Sequence, residues 1–141
     1  MNIATPRRGL MALAAISGAE GLALIGYACY DVVQAMRFGT TGPAEVSNGP
    51  ALFIQIMIFM VFGIGLLLIA RGWMQGQRWS RAPFLLAQLI ALLVGFPLAQ
   101  DSAGPGRAVG AVVLMCALVG GVLALTPQVG RAIRVRNSQP D

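Results

Sequence analysis

The chain has 141 residues, 57% of them hydrophobic and 11% charged, with a mean hydropathy of +0.74. Soluble domains carry about 25% charged residues, so this composition excludes an ordinary water-soluble fold, and the length suits one membrane-embedded helical domain. The net charge of +5 comes from arginine against five acids, with no Lys and no His. Because the cations sit at the ends of apolar runs, they fit a membrane topology signal and not a nucleic-acid surface; the lack of His removes the usual haem ligand and proton shuttle.

Pro6-Arg7-Arg8, followed by an apolar stretch and Ser17-Gly18-Ala19, imitates a cleavable signal peptide. The apolar run continues to Val33, which predicts instead an uncleaved membrane helix over about residues 9–36. At helical spacing Ser17, Glu20, Tyr27, Asp31 and Gln34 fall on one face, interrupted only by Leu24. A carboxyl at mid-membrane costs roughly 2.5–3.5 kcal/mol on insertion scales, so Glu20 is expected to face protein or a water-filled cavity.

Residues 37–50 hold three Gly and two Pro and predict a loop. A second helix is expected over 51–73, with Pro50 suited to its first turn, Gln55 near one end, and Gly63 and Gly65 permitting close helix approach. Its exit is marked by Arg71 and Trp73, a cation and an amphipathic ring at headgroup level. Residues 71–82 carry both Trp and three Arg. They are a short loop with interfacial anchors, and Arg71, Trp73, Arg78, Trp79 and Arg81 are candidates for docking anionic lipid or a partner subunit.

Pro83 opens a third helix over 83–99, in which Pro97 is expected to bend or end the helix and Gln88 to face the polar stripe. A turn at 100–107 leads to a fourth helix over 108–126, with Gly110, Ala117, Gly120 and Gly121 available for close packing, and then a basic tail over 127–141, frayed at its end. With the N-terminus inside, Arg7, Arg8, Arg71, Arg78, Arg81, Arg131, Arg134 and Arg136 lie on the inner side and only Arg37 and Arg107 on the outer. That bias predicts both termini in the cytoplasm.

No cluster of His, Cys, Asp or Glu suggests a metal, no nucleophile has a histidine base, and Gly104-Pro105-Gly106 lacks the strand and Lys-Ser or Lys-Thr of a phosphate loop. Cys29 and Cys116 read as small packing residues within apolar runs, not as a disulfide. No catalytic residue, cofactor or metal is expected. Glu20 has two readings. It is a proton- or cation-binding carboxyl, or a hydrogen-bonded carboxyl that holds helices in register.

Ala70-Arg71-Gly72-Trp73 through Gly76-Gln77-Arg78-Trp79-Ser80-Arg81-Ala82-Pro83, with Gln88-Leu89, resembles small four-helix integral membrane proteins of actinobacteria that carry no assigned activity. The likeness is strongest over residues 70–95 and weaker over 20–30. It implies an accessory place in a larger membrane complex, respiratory supercomplexes among them. A weaker resemblance, to the small multidrug resistance transporters, rests on Gly18-Ala19-Glu20-Gly21 and implies that Glu20 binds proton and drug alternately. The chain departs from that family in its Arg bias, its longer loops and tail, and its lack of an aromatic-rich third helix.

These readings converge on an all-α, integral membrane four-helix bundle in the bacterial plasma membrane. The expected function is a non-enzymatic accessory, assembly or stabilising subunit; the alternative is a small proton-coupled transporter using Glu20. Its expected partners are the lipid bilayer, other integral membrane subunits and anionic lipids.

Overall fold

The computed structural model describes residues 4–39, 49–100, 105–127 and 129–131. Of the loop expected at 37–50, the turn at 100–107 and the tail at 127–141, residues 40–48, 101–104 and those from 132 on, with Arg134 and Arg136, lie outside the described residues. The all-α expectation is met: the described chain folds as α1 (Ala4–Phe38), α2 (Gly49–Met74), a short 3-10 turn (Arg78–Ser80), α3 (Arg81–Gln100) and α4 (Pro105–Leu125), with no strand among the described residues.

Local chemistry sets the helix ends. α1 stops where Gly39 turns to φ +70° and its N–H reaches Ala35 O at 3.0 Å, a left-handed cap that glycine adopts without steric cost. α2 is closed beyond Met74 by Gly76, φ +65°, with Gln77 N bonded to Gly72 O at 2.9 Å and Gly76 N to Trp73 O at 3.0 Å. This pair of bonds is a Schellman motif, which satisfies carbonyls that the helix itself leaves open. α3 begins at Arg81, so Pro83 lies within its first turn, where a missing N–H costs nothing. α4 begins at Pro105, earlier than the expected residue 108, for the same reason.

α3 continues three residues past Pro97, to Gln100. A proline in the last turn deletes one hydrogen bond, and only three residues follow it. Residues 129–131 are helical, with Gly130 N bonded to Thr126 O at 3.4 Å and Val129 buried. The chain after α4 is therefore anchored here by an apolar side chain.

The molecule divides into two compact units, Met1–Ile16 with Ile69–Asp141, and Ser17–Leu68. In the first, α3 and α4 run antiparallel. A Cβ on Gly95 would meet Val113 Cγ1 at 3.1 Å, and one on Gly120 would meet Phe84 at 3.0 Å and Gln88 at 3.4 Å, so both glycines seat bulky neighbours. Leu13, Trp73, Phe84, Ala117, Ala124 and Val129 form its core. In the second, α1 and α2 run antiparallel and touch backbone to backbone: a Cβ on Gly21 would lie 2.8 Å from Gly63 O. Small residues allow such approach between membrane helices, where it replaces the hydrophobic drive that lipid removes. Gly65 and Gly121, also expected at close contacts, face open space.

Four segments, Arg8–Arg37, Gly49–Met74, Arg78–Gln100 and Arg107–Leu125, are long and apolar enough to cross a bilayer. Only 17–28% of each is buried within the chain, which leaves rows of Leu, Val, Ile and Phe turned outward. This is a multi-pass membrane protein.

Candidate functional site: a polar ladder and an arginine-rich turn

The polar stripe of α1 lies in the unit Ser17–Leu68, and the structure pairs it with α2 step by step. Nearest mid-helix, Gly21 and Gly63 make the backbone contact. One step along, the Tyr27 ring meets Phe59 edge to face with centroids 5.5 Å apart. Next, Gln55 Nε2 donates to Asp31 Oδ2 at 3.0 Å. Residue numbers on the two helices sum to 84, 86 and 86, from 21 and 63, 27 and 59, and 31 and 55, which is the signature of a straight antiparallel pair. Gln34 Nε2 closes the row on its own helix by donating to the Tyr30 hydroxyl at 2.7 Å.

The stripe is not uniformly inward. Ser17 is fully buried, Glu20, Asp31 and Gln34 are half-buried, and Tyr27 is 51% exposed. The buried seam of α1 runs instead through Leu13, Ala14, Ser17, Gly21 and Ala28, a row rotated from the stripe by a fraction of a turn. Size explains the offset: the closest helix approach selects Gly, Ala and Ser, and the longer polar side chains take the flank, where they can reach across. Ser17 and Glu20 each have an interaction partner. Gln88 belongs to the other unit, buried on α3 beside Gly120. Gln55 is the member of this ladder that the stripe reading missed; its place near the start of α2, facing the end of α1 across the connecting loop, was the available signal.

The turn between α2 and α3 is tightly built. Gly72 packs against Ser80, whose Oγ donates to Gln77 O at 2.7 Å. Trp79 Nε1 donates to Gln77 Oε1. Trp73 departs from the interfacial place expected of its ring: it is fully buried, set edge-on against Phe84 at 5.6 Å with an interplanar angle of 90°. Its position one turn inside the Schellman cap directs the ring into the core. Its Nε1 is buried with no hydrogen bond among the described residues. Arg71, Arg78 and Trp79 are exposed and Arg81 is half-buried, so these four remain at the surface.

Cys29 is exposed and Cys116 half-buried, both as free thiols; exposure of Cys29 departs from the packing role expected of it. Among the described residues no three of His, Cys, Asp and Glu gather as metal ligands. A surface groove of about 460 Å³ at the end of α3 is lined by Val94, Pro97, Leu98 and Gln100, none of them titratable. The chemistry on view is thus helix pairing by small residues and an amide–carboxyl hydrogen bond, with guanidinium groups at one turn.

The fold and these two clusters define a small polytopic helical membrane protein. No known protein family, curated protein or solved structure matches the chain.

Proposed function

We propose that the protein is a non-catalytic accessory, assembly or stabilising subunit that docks through its membrane helices against a larger integral membrane protein of the bacterial plasma membrane, a respiratory supercomplex being one such host. The observation that carries this reading is the second small-residue face of α1. Ala14, Gly21 and Ala28 are buried, whereas Ala15, Ala19, Ala23 and Gly26 line the opposite side and are exposed. A Cβ on Gly26 would meet nothing within 4 Å. Elsewhere the outward rows carry bulky residues suited to lipid, such as Leu93, Val94, Phe96 and Val122. A face of Ala and Gly suits another helix better, because close packing is what small residues supply in a membrane. The arginine bias supports an orientation with both termini in the cytoplasm.

A mild-detergent pull-down followed by mass spectrometry tests the reading. Wild-type protein is expected to bring down larger membrane subunits in stoichiometric amount, and the Ala19→Leu/Gly26→Leu variant to insert normally yet lose them. Recovery as a homodimer alone would favour the second reading, a proton-coupled transporter, whose supporting observation is the half-buried Glu20 inside the first span.

A further inference from the structure

The topology rule needs arginines near span ends; it does not need them to converge. In the unit Met1–Ile16 with Ile69–Asp141, three chain segments meet at the short helical turn after α4. A Cβ on Gly9 would lie 3.3 Å from Val129 Cγ2, so the start of α1 rests on this turn. A Cβ on Gly130 would lie 3.8 Å from Arg81 Nη1, so the Arg81 guanidinium rests on it too. Arg8 adjoins Gly9, Arg131 adjoins Gly130, and both are exposed, while Arg81 is half-buried. The turn thus carries the Arg81 guanidinium itself, and Arg8 and Arg131 are each next in the chain to a glycine that meets this turn or belongs to it.

Among the described residues of this unit there is no carboxylate. The only described acids, Glu20 and Asp31, belong to the other unit. A half-buried guanidinium has given up part of its hydration, and an anion with several acceptor oxygens restores what was lost. Guanidinium forks match phosphate oxygens in pairs, which an ammonium does not. The location specifies the source of the phosphate. Arg8 begins one span, Arg81 lies in the first turn of the third helix, and Arg131 follows the fourth, so all three stand at span ends, where basic residues meet headgroups. Trp79, 52% exposed and two residues before Arg81, adds an aromatic ring at that level.

We infer that Arg8, Arg81 and Arg131 form a discontinuous site for the phosphate of an anionic phospholipid headgroup. The inference rests on the membrane-spanning fold and not on the accessory role, so it stands or falls separately from a pull-down.

Native mass spectrometry of the delipidated full-length protein tests it, with diphosphatidylglycerol, phosphatidylglycerol and phosphatidylcholine as probes. Both anionic lipids are expected to bind at least tenfold more tightly than phosphatidylcholine. Arg8→Gln/Arg81→Gln/Arg131→Gln should remove that preference, and Arg37→Gln/Arg107→Gln should leave it intact. Helical content by circular dichroism shows whether the triple variant is folded. If it is not, Arg8→Lys/Arg81→Lys/Arg131→Lys serves in its place: the charge stays, the forks are lost, and the preference should fall several-fold. Equal binding of the three lipids by wild type would overturn the site. So would an undiminished preference in the folded triple variant, displacement by inorganic phosphate at millimolar concentration, or loss of protein partners by the triple variant with lipid preference unchanged.

Discussion

Gln55 reaches across from α2 to Asp31 on α1, its Nε2 donating to Oδ2 at 3.0 Å, four residues beyond the point where Tyr27 meets Phe59. The bond ties the two helices near their connecting loop, as Gly21 and Gly63 do further in. Gln55→Leu removes the donor and leaves a half-buried carboxylate to find another, at a cost of about 1–2 kcal/mol. Asp31→Asn keeps an acceptor and should cost less. A double-mutant cycle of Gln55→Leu with Asp31→Ala, read by SDS-induced unfolding, should give a coupling of about 0.6–1.7 kcal/mol, the range of polar contacts between membrane helices. Strict additivity would mean that the bond contributes nothing.

Two glycines two residues apart on α2 should behave in opposite ways. A Cβ on Gly63 would fall 2.9 Å from Gly21 O and closer still to the Ile25 side chain, whereas one on Gly65 meets nothing within 4 Å. Backbone carbonyl cannot step aside as a flexible side chain can. Gly63→Ala should therefore push α1 and α2 apart at about 1–3 kcal/mol, the usual range for overpacking. Gly65→Ala should be neutral or gain up to about 1 kcal/mol from helix propensity. Melting temperatures in one detergent suffice for the comparison, and equal shifts would refute the close contact.

The two tryptophans provide a third contrast. Trp73 is fully buried against Phe84, and Trp79 is half open to its surroundings. Trp73→Ala should cost about 3–5 kcal/mol, as large aromatic truncations in cores do. Trp73→Phe should cost far less, because it keeps the edge-to-face ring and removes an N–H that is buried without a hydrogen bond among the described residues. Trp79→Ala should scarcely move the unfolding midpoint. Tryptophan fluorescence of Trp79→Phe, which reports Trp73 alone, should be blue-shifted and resistant to soluble quenchers.

Helix number, helix type and the positions of most ends were legible in the sequence, because apolar length and Pro or Gly punctuation act locally. What was not legible depends on rotation about a helix axis. The row containing Ser17, Glu20, Tyr27, Asp31 and Gln34 is a real face of α1, yet the contact seam runs beside it, since Gly21 and Gly63 set the closest approach and polarity does not. Trp73 was misplaced for a related reason. A tryptophan at a span end fits an interfacial belt, and only the Schellman turn shows that its ring points inward to Phe84. Residues 71–82 held Arg81 in view, but Gly130, beside which its guanidinium lies, comes from far along the chain, and linear proximity could not supply it.

Orientation can be measured directly. Ser80, in the turn between α2 and α3, is fully buried and would resist labelling from either side. Gln75 is exposed in the same turn and serves instead. In a background lacking Cys29 and Cys116, Thr41→Cys should react with a membrane-impermeant maleimide in intact cells, and Gln75→Cys only after the membrane is opened. The reverse pattern would invert the topology, and equal labelling of both would indicate two orientations in one population.

Glu20 separates the two functional readings. It is half-buried within the first span and has an interaction partner. A transporter carboxyl must release and rebind a proton in each cycle, so its ionised form has to be reachable. A structural carboxyl needs only to keep its hydrogen bond, and Gln offers an acceptor and donors of nearly the same shape. Under the accessory reading, Glu20→Gln should leave abundance and complex assembly nearly unchanged. Glu20→Leu should lower stability by about 1–3 kcal/mol, because the partner of this half-buried side chain then loses its polar contact. A transporter predicts a different pattern, with Gln and Leu variants equally inactive although both proteins are made. The expected outcome is the graded one, read as complex recovery in mild detergent and as unfolding midpoint. Proton-coupled efflux of an organic cation by the purified protein in vesicles, abolished by Glu20→Gln, would instead establish Glu20 as the carrier of the transport step.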